Sequence, residues 1–111
     1  MEMTVSQSES VTIADPRGRI DTAGAGAFGD RLAELVHSGT RDILIDLHQV
    51  RYISSIGFRA LLVTARLIEQ HKGRLVLCGI SADIMRVFDM GGFTALFTIC
   101  LTRDDGLRAM R

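Results

Sequence analysis

The chain has 111 residues, of which 47% are hydrophobic and 23% charged, and its 13 basic side chains balance 13 acidic ones. These values are typical of a small globular protein, and we predict a single domain over residues 1–111 that folds without disulfides, metal or cofactor. Because the basic residues form no stripe and no apolar run reaches about 18 residues, we expect the chain neither to bind nucleic acid nor to span a membrane.

The N-terminal third predicts two strands followed by a helix. Weak alternation over residues 3–7 and a β-branched run over residues 11–14 indicate a hairpin or a pair of early strands. Asp21 or Thr22 can then cap a helix by accepting a backbone hydrogen bond. That helix is predicted to end at Val36, since apolar residues recur at helical spacing up to that point.

The remainder of the chain alternates between strands and helices. Strands are predicted at 42–47, 74–78 and 96–101, and helices at 57–72, at 82–90 and in a short segment that follows Thr102. This alternation is typical of an α/β fold, here with four or five strands and about four helices.

Glycines at positions 24, 26 and 29 fit the pattern G-x-G-x-x-G of dinucleotide-binding loops, and Asp46 lies near the distance expected for a ribose-binding acid. In such loops the first glycine turns directly off a strand. Here residues 21–23 separate the strand from the first glycine, so the glycines fall inside the helix. The chain is also too short for both halves of a dinucleotide-binding sheet. We therefore reject this interpretation and expect a small-residue helix that packs closely or frays in its first turn.

Neither the cysteines nor the histidines have the sequence spacing of a metal site or a redox site. Cys78 and Cys100 lie within apolar runs, and we predict buried, reduced strand thiols, since no C-x-x-C spacing indicates zinc or redox work. His37, His48 and His71 lack ligand spacing and are assigned no chemistry. The N-terminus has no basic segment followed by an apolar one, so we expect no secretory signal and a cytoplasmic location.

Two serines, Ser54 and Ser55, follow the apolar pair Tyr52-Ile53 and precede the second predicted helix. A serine at this position usually caps the helix by accepting an orphan backbone N–H, which contributes about 1 kcal/mol. A helix N-terminus can also hold a phosphate on a serine, because its unpaired N–H groups and dipole favour negative charge. Phosphorylation adds a charge of about −1.5 to −2 and would change what this surface binds without unfolding the domain. The residues alone leave both interpretations open.

Three segments, in order and at the right spacing, resemble the STAS domains of anti-sigma factor antagonists. They are Gly18-Arg19-Ile20-Asp21, the stretch from Asp46-Leu47 through Tyr52-Ile53-Ser54-Ser55-Ile56-Gly57-Phe58, and Val87-Phe88 through Gly92-Phe93, Leu96-Phe97 and Ile99. The resemblance extends over nearly the whole chain. It implies a STAS-type fold, in which a mixed sheet of four to five strands carries about four helices packed mainly on one face.

The resemblance also implies roles for residues around the two serines. Ser55 matches the serine that a partner kinase phosphorylates in this family, and Asp21 matches an acid near that serine. Ser54 occupies a position often held by Asp. Gly57 matches a glycine of the first helical turn, where a side chain would crowd an approaching partner.

The chain departs from the family pattern at two positions beside Ser55. Ile56 replaces a small residue, and Phe58 replaces a smaller aliphatic one. Ile56 either packs inward or, if exposed, alters the docking surface, and we include Phe58 among the residues expected to contact a partner. Arg59 and Arg86 are also expected to contact it, on the face between the second and third helices.

The resemblance implies a partner-switching regulator of transcription rather than an enzyme. The unphosphorylated domain is expected to bind an anti-sigma factor that is a serine kinase of the histidine-kinase-like ATPase type, and thereby to free a sigma factor. The kinase phosphorylates Ser55, and a PP2C-type phosphatase restores the binding form. The domain, a monomer or weak dimer, supplies a hydroxyl and a docking face but no catalytic machinery.

Two other functions remain open at this point. A STAS domain can be a subunit of a transport or ligand-sensing assembly, in which it is not phosphorylated and Ser55→Ala has no effect. A small enzyme would use Asp21, Asp46 and Ser55 as an acid and nucleophile set, but no histidine has a place beside Ser55 as general base.

Overall fold

The computed structural model describes all 111 residues. The chain forms one sheet of six strands, four α-helices and one short 3-10 helix. In chain order the elements are β1 (Glu2–Ser8), β2 (Val11–Ile20), α1 (Thr22–His37), β3 (Asp42–Asp46), β4 (Val50–Ile53), α2 (Ser55–Gln70), β5 (Arg74–Cys78), α3 (Ala82–Met90), the 3-10 helix (Phe93–Leu96), β6 (Thr98–Cys100) and α4 (Arg103–Ala109). The predicted α/β class is confirmed. The sheet has more strands than predicted because β4, only four residues long, pairs with β2.

The sheet is mixed, with strand order β1-β2-β3-β5-β6 and with β4 beside β2. β1 and β2 form an antiparallel hairpin, and the remaining pairs are parallel. The long strand β2 pairs with β3 through residues 12–14 and, further along, with β4 through residues 18–20. This parallel pairing places Ile20 beside Ile53, so the residues that follow β2 and β4 leave the sheet side by side.

Two hydrophobic clusters lie on opposite faces of the sheet. Along β3, Ile43 and Ile45 join the larger cluster and Leu44 joins the smaller one, as expected for alternating side chains. The larger cluster includes fully buried side chains of three helices, among them Phe28, Leu61 and Phe88. α4 packs on the other face through Leu107, so the helices lie mainly on one face, as predicted. Each helix is too short or too polar to cross a lipid bilayer.

The first turn of α1 is capped by Asp21, whose Oδ1 accepts the N–H of Gly24 at 2.9 Å. The three glycines of the G-x-G-x-x-G pattern lie inside this helix, as predicted. A Cβ on Gly29 would stand 3.4 Å from Cβ of Ala60 on α2. The small residues of α1 therefore allow the two helices to approach closely.

Candidate functional site

Ser54 joins the end of β4 to the start of α2. Its N–H donates to the carbonyl of Ile20 at 2.8 Å, which continues the pairing of β4 with β2. Its Oγ accepts the N–H of Gly57 at 3.1 Å, and the residue is only 7% exposed. Ser54 is therefore the N-cap of α2, the ordinary role of a serine at a helix start.

Ser55 is the first residue of α2, which begins two residues earlier than its apolar period predicts. Its side chain is exposed, and its hydroxyl forms no hydrogen bond within the chain. α2 has no acidic residue in its first turn, so no carboxylate of the helix offsets the positive end of its dipole. The hydroxyl is thus free for modification, and a phosphate on it would lie near favourable backbone N–H groups.

Asp21 lies beside Ser54 because the paired residues Ile20 and Ile53 end their strands together. Its carboxylate is engaged as the cap of α1. The structure therefore places the acid and the two serines at the same edge of the sheet, with Ser55 one residue further along the chain from the cap of α2.

Gly57 is needed for a reason that the family pattern did not indicate. The residue is buried, and a Cβ on it would stand 2.8 Å from Cγ2 of Ile53, 3.0 Å from Cγ2 of Ile20 and 3.2 Å from the carbonyl oxygen of Ile20. The prediction that a side chain here would crowd an approaching partner is therefore wrong. Gly57 instead allows α2 to pack directly on the ends of β2 and β4.

Phe58 is a core residue, and the prediction that it contacts a partner is wrong. It is 4% exposed and stacks on Phe93, with ring centroids 5.1 Å apart and an interplanar angle of 4°. The ring of Phe88 meets it edge-on at 4.9 Å. The reason is helical phase, since position 58 shares the inward face of α2 with Leu61 and Ile68. Phe58 thus anchors α2 to α3 and to the 3-10 helix.

A groove of about 310 Å³ runs between α1 and α2 beside Ser55. Ile56 and Val63 of α2 line it, and these residues are 47% and 56% exposed. Gly26 of α1 and Arg59 of α2 line it too, and we call this surface the α1–α2 groove. Ile56 therefore lies on the surface next to the exposed serine and not in the core.

The two arginines expected to contact a partner lie in different surroundings. Arg59 is exposed, lines the α1–α2 groove and forms no ion pair or hydrogen bond. Arg86, on α3, lies outside this groove and donates to Asp83 at 2.7 Å, an exposed pair within one helix. The structure therefore does not bring the two arginines into one groove.

A second polar cluster, not predicted from the sequence, lies where β3 ends. Arg103, at the start of α4, donates to Asp46 at 2.8 Å and to Asp15 at 2.9 Å. The Nδ1 atom of His48 is 2.9 Å from Asp46 and 4.0 Å from Asp15. We call these four residues the Arg103 cluster. The one signal in the sequence was an acid inside an apolar strand, which requires a partner when it is buried.

The Arg103 cluster keeps a buried carboxylate ionised. The Asp46 side chain is only 5% exposed. Burial alone would raise its pKa, but hydrogen bonds from Arg103 and from the backbone and side chain of His48 outweigh burial and hold the pKa below its ordinary value. The hydrogen bond between Arg103 and Asp46 also raises the pKa of Arg103. One oxygen of Asp15, Oδ1, is buried without a hydrogen-bond partner.

Cys78 and Cys100 are free thiols, and they lie opposite each other on the neighbouring strands β5 and β6. Burial, and then the nearby charge of Asp46, raise the pKa of Cys78 to about 12. A thiol with so high a pKa stays protonated and is a poor nucleophile. Both cysteines lie in strands as predicted, although Cys100 is only partly buried.

The chain is therefore a small α/β domain, with a mixed sheet, helices mainly on one face and two serines at the start of α2. The model of the STAS domain matches residues 2–106, and the chain therefore belongs to the STAS domain family. The fold expected from the sequence resemblance is confirmed.

The relatives of the chain are regulatory proteins. It is 32% identical over 111 residues to BtrV of Bordetella bronchiseptica, provisionally assigned as an anti-sigma factor antagonist, with 100% of this chain and 96% of BtrV covered. It is 26% identical over 108 residues to the anti-sigma-B factor antagonist of Bacillus subtilis, with 97% of this chain and 98% of that protein covered. The solved structure of the Bacillus cell fate determinant SpoIIAA in its phosphorylated form has the same fold, with a TM-score of 0.76, 16% identity and coverage of 99% of this chain and 100% of that chain. BtrV and the Bacillus subtilis protein are named for regulation and not for catalysis, in agreement with the expectation that the chain is not an enzyme.

Proposed function

We propose that this chain is an anti-sigma factor antagonist that acts by partner switching. Its unphosphorylated form binds an anti-sigma factor that is a serine kinase of the histidine-kinase-like ATPase type, and thereby frees a sigma factor in the cytoplasm. Phosphorylation of Ser55 ends this binding, and a PP2C-type phosphatase restores it. Membership of the STAS family and the names of the two relatives support the general role.

The observation that carries the proposal is the division of roles between the two serines. Ser54 is buried and caps α2 through Gly57, so its hydroxyl is both inaccessible and needed by the fold. Ser55 is exposed, and its hydroxyl has no partner within the chain. A kinase therefore meets one free hydroxyl at this helix start, and a phosphate on it breaks no hydrogen bond of the fold.

The chain supplies the substrate hydroxyl, and the kinase supplies the catalysis. The Oγ of Ser55 forms a bond to the γ-phosphorus of ATP, the bond to ADP breaks, and the hydroxyl proton leaves to a base of the kinase. The phosphorylated form of SpoIIAA, which has the same fold, supports the view that such a domain can carry a phosphate.

A phosphate on Ser55 changes binding through its charge beside an apolar surface. It adds a charge of about −1.5 to −2 next to Ile56, which with Val63 lines the α1–α2 groove. A partner that buries these side chains also has to desolvate the phosphate, and burial of an unpaired charge costs several kcal/mol. We propose that the partner contacts Ile56, Arg59 and Val63 at this groove, and that any contact with Arg86 lies outside it, on α3.

The test is intact-mass analysis of the protein purified from its own cells, beside a Ser55→Ala variant. We expect a mass increase of about 80 Da in the wild type and none in Ser55→Ala. Ser10→Ala, at an exposed serine of the β1–β2 turn, is the matched control and should keep the phosphate. The unphosphorylated protein should capture a kinase from the same cells, and the phosphorylated protein should release it.

Two outcomes would contradict the proposal. A phosphate that persists in Ser55→Ala would place the modification at another residue. Absence of phosphate during growth, starvation and stress, together with full function of Ser55→Ala, would favour a STAS subunit of a transport or ligand-sensing assembly. The exposure of Ile56 beside the serine is the observation that suits this alternative, because it departs from the family pattern at the docking surface.

A further inference from the structure

Arg59 is a free cation one helical turn after Ser55. α2 carries two arginines, Arg59 and Arg66, and neither forms an ion pair or a hydrogen bond. The arginines of the other helices all have partners: Arg31 the carbonyl of Met3, Arg86 the carboxylate of Asp83, Arg103 those of Asp15 and Asp46, and Arg108 that of Asp105. The fold therefore gives Arg59 no structural task of its own.

Helix geometry brings Arg59 within reach of a group on Ser55. Residues four apart in a helix lie on one face, with Cβ atoms about 5–6 Å apart, and α2 is continuous from Ser55 to Gln70. A guanidinium group can bind two oxygens of a phosphate at once. The arginine near the end of β2, Arg19, is already engaged, since it stacks over the ring of Tyr52 at 4.4 Å from the centroid.

Three carboxylates have to be considered beside this pair. Glu69, the one acidic residue of α2, lies in its last turn. Asp30 of α1 lines the α1–α2 groove with Arg59 but forms no ion pair with it. Asp21 lies beside the start of α2 and caps α1. Asp21 and Asp30 would both repel a phosphate on Ser55, whereas Arg59, four residues along the same helix, is a cation placed to hold it.

We infer that Arg59 is the internal ligand of the phosphate on Ser55. This inference rests on the proposed function, because it takes Ser55 to be the residue that is phosphorylated. Without phosphate, Arg59 is free to contact an acidic group of the partner at the α1–α2 groove. With phosphate, the guanidinium turns back to Ser55, so phosphorylation removes a cation from the docking surface in addition to adding an anion.

The test uses protein in which phosphoserine is incorporated at position 55 during translation, so that no kinase is needed. Phosphorus-31 NMR follows the second ionisation of the phosphate, which occurs at a pKa of about 6. In Arg59→Gln this pKa should rise by about 0.2–0.4 of a pH unit, because the cation that favours the dianion is lost. Arg66→Gln is the matched control, since it removes an equally free arginine further along α2, and it should leave the titration unchanged.

The outcomes separate this inference from the proposed function. Identical phosphate titrations of the parent and Arg59→Gln would overturn it, and so would a shift of equal size in Arg66→Gln. A salt concentration of about 1 M should shrink the difference, because exposed charges are then screened beyond about 3 Å. If the anti-sigma factor kinase fails to modify Ser55, the proposed function fails, but the NMR comparison still decides whether Arg59 holds a phosphate there.

Discussion

Two clusters of polar side chains lie near the ends of the parallel strands: the Arg103 cluster, and Ser55 with Arg59 on α2. They differ in whether their polar groups have partners within the chain. In the Arg103 cluster, Arg103 bonds to Asp46, 57 residues away in the chain, and to Asp15, 88 residues away. At the start of α2, by contrast, Ser55 and Arg59 have no partner within the chain. Arg103 thereby joins α4 to the sheet, whereas Ser55 and Arg59 remain free to bind another molecule.

Burial explains this difference. The carboxylate of Asp46 is almost fully buried, and a buried charge without a partner costs several kcal/mol, so the fold has to satisfy it internally. Water solvates the exposed Ser55 and Arg59 at little cost, so they can stay unpaired without destabilising the protein. Substitutions in the first cluster should therefore change stability, and substitutions in the second should change binding.

The largest effect is expected for Arg103→Ala, which leaves Asp46 buried with His48 as its remaining partner. Removal of one member of a buried pair costs about 3–5 kcal/mol; because Arg103 is 36% exposed, we expect the free energy of unfolding to fall by about 2–3 kcal/mol. Urea denaturation measures this change. Arg108→Ala breaks an exposed pair with Asp105 on the same helix and should leave the free energy of unfolding nearly unchanged. Equal losses in the two variants would remove the distinction between buried and exposed pairs.

The next effect tests the close fit of α2 on the strand ends. In Gly57→Ala the new methyl group would lie 2.8 Å from Ile53 and 3.2 Å from the carbonyl oxygen of Ile20, and we expect a loss of about 2 kcal/mol. Gly26→Ala is the control, because no atom lies within 4 Å of its added Cβ, and it should stabilise the helix by about 0.5–1 kcal/mol. Thermal denaturation should show shifts of opposite sign. An unchanged Gly57→Ala protein would mean that α2 can move off the strands.

A smaller effect should separate the two serines. Ser54→Ala removes the cap of α2 and should lower the free energy of unfolding by about 1 kcal/mol. Ser55→Ala removes no hydrogen bond, and we expect a change within about 0.5 kcal/mol. Urea denaturation of both variants provides the comparison. If Ser55→Ala were the less stable of the two, the division between a capping and a modified serine would be wrong.

Local features of the chain were predictable from sequence because caps and amphipathic periods are local. The predicted helix at 82–90 agrees with α3, and the short helix predicted after Thr102 is α4, which the structure shows to be capped by Thr102. β4 was not recognised as a strand because it has four residues and is defined by pairing with β2, which comes much earlier in the chain. Pairing of distant segments leaves little trace in so short a segment.

The candidate site was predicted in part, and the two errors have different causes. The serines were identified, but Phe58 was assigned to the surface although it shares an apolar period with Leu61 and Ile68. Its helical phase was a sufficient signal and should have outweighed the family pattern. The partners of Asp46 could not be found in this way, because Arg103 meets it only after the whole sheet has formed.

The smallest expected effect is on the stability of the protein at low pH. It tests whether the ionised carboxylate of Asp46 or the packing of the side chains stabilises the Arg103 cluster. The pKa of Asp46 lies below its ordinary value in the folded protein, whereas an unfolded Asp titrates near about 3.9. Between these two values the unfolded chain binds more protons, so stability falls as the pH falls, and the contribution of Asp46 is complete only above about pH 5. Asp46→Asn removes this titration, so its free energy of unfolding should depend less steeply on pH between about 5 and 3 than that of the wild type.

The slope, and not the stability at neutral pH, is the quantity to compare, because Asp46→Asn also weakens the bond to Arg103. Urea denaturation at a series of pH values gives this slope. Asp104→Asn, on the exposed first turn of α4 and outside any ion pair, is the control for loss of a carboxylate outside the Arg103 cluster. If Asp46→Asn keeps the wild-type slope, the ionised carboxylate contributes nothing specific to stability in acid. The two clusters would then differ in how tightly they are packed and not in how their charges are satisfied.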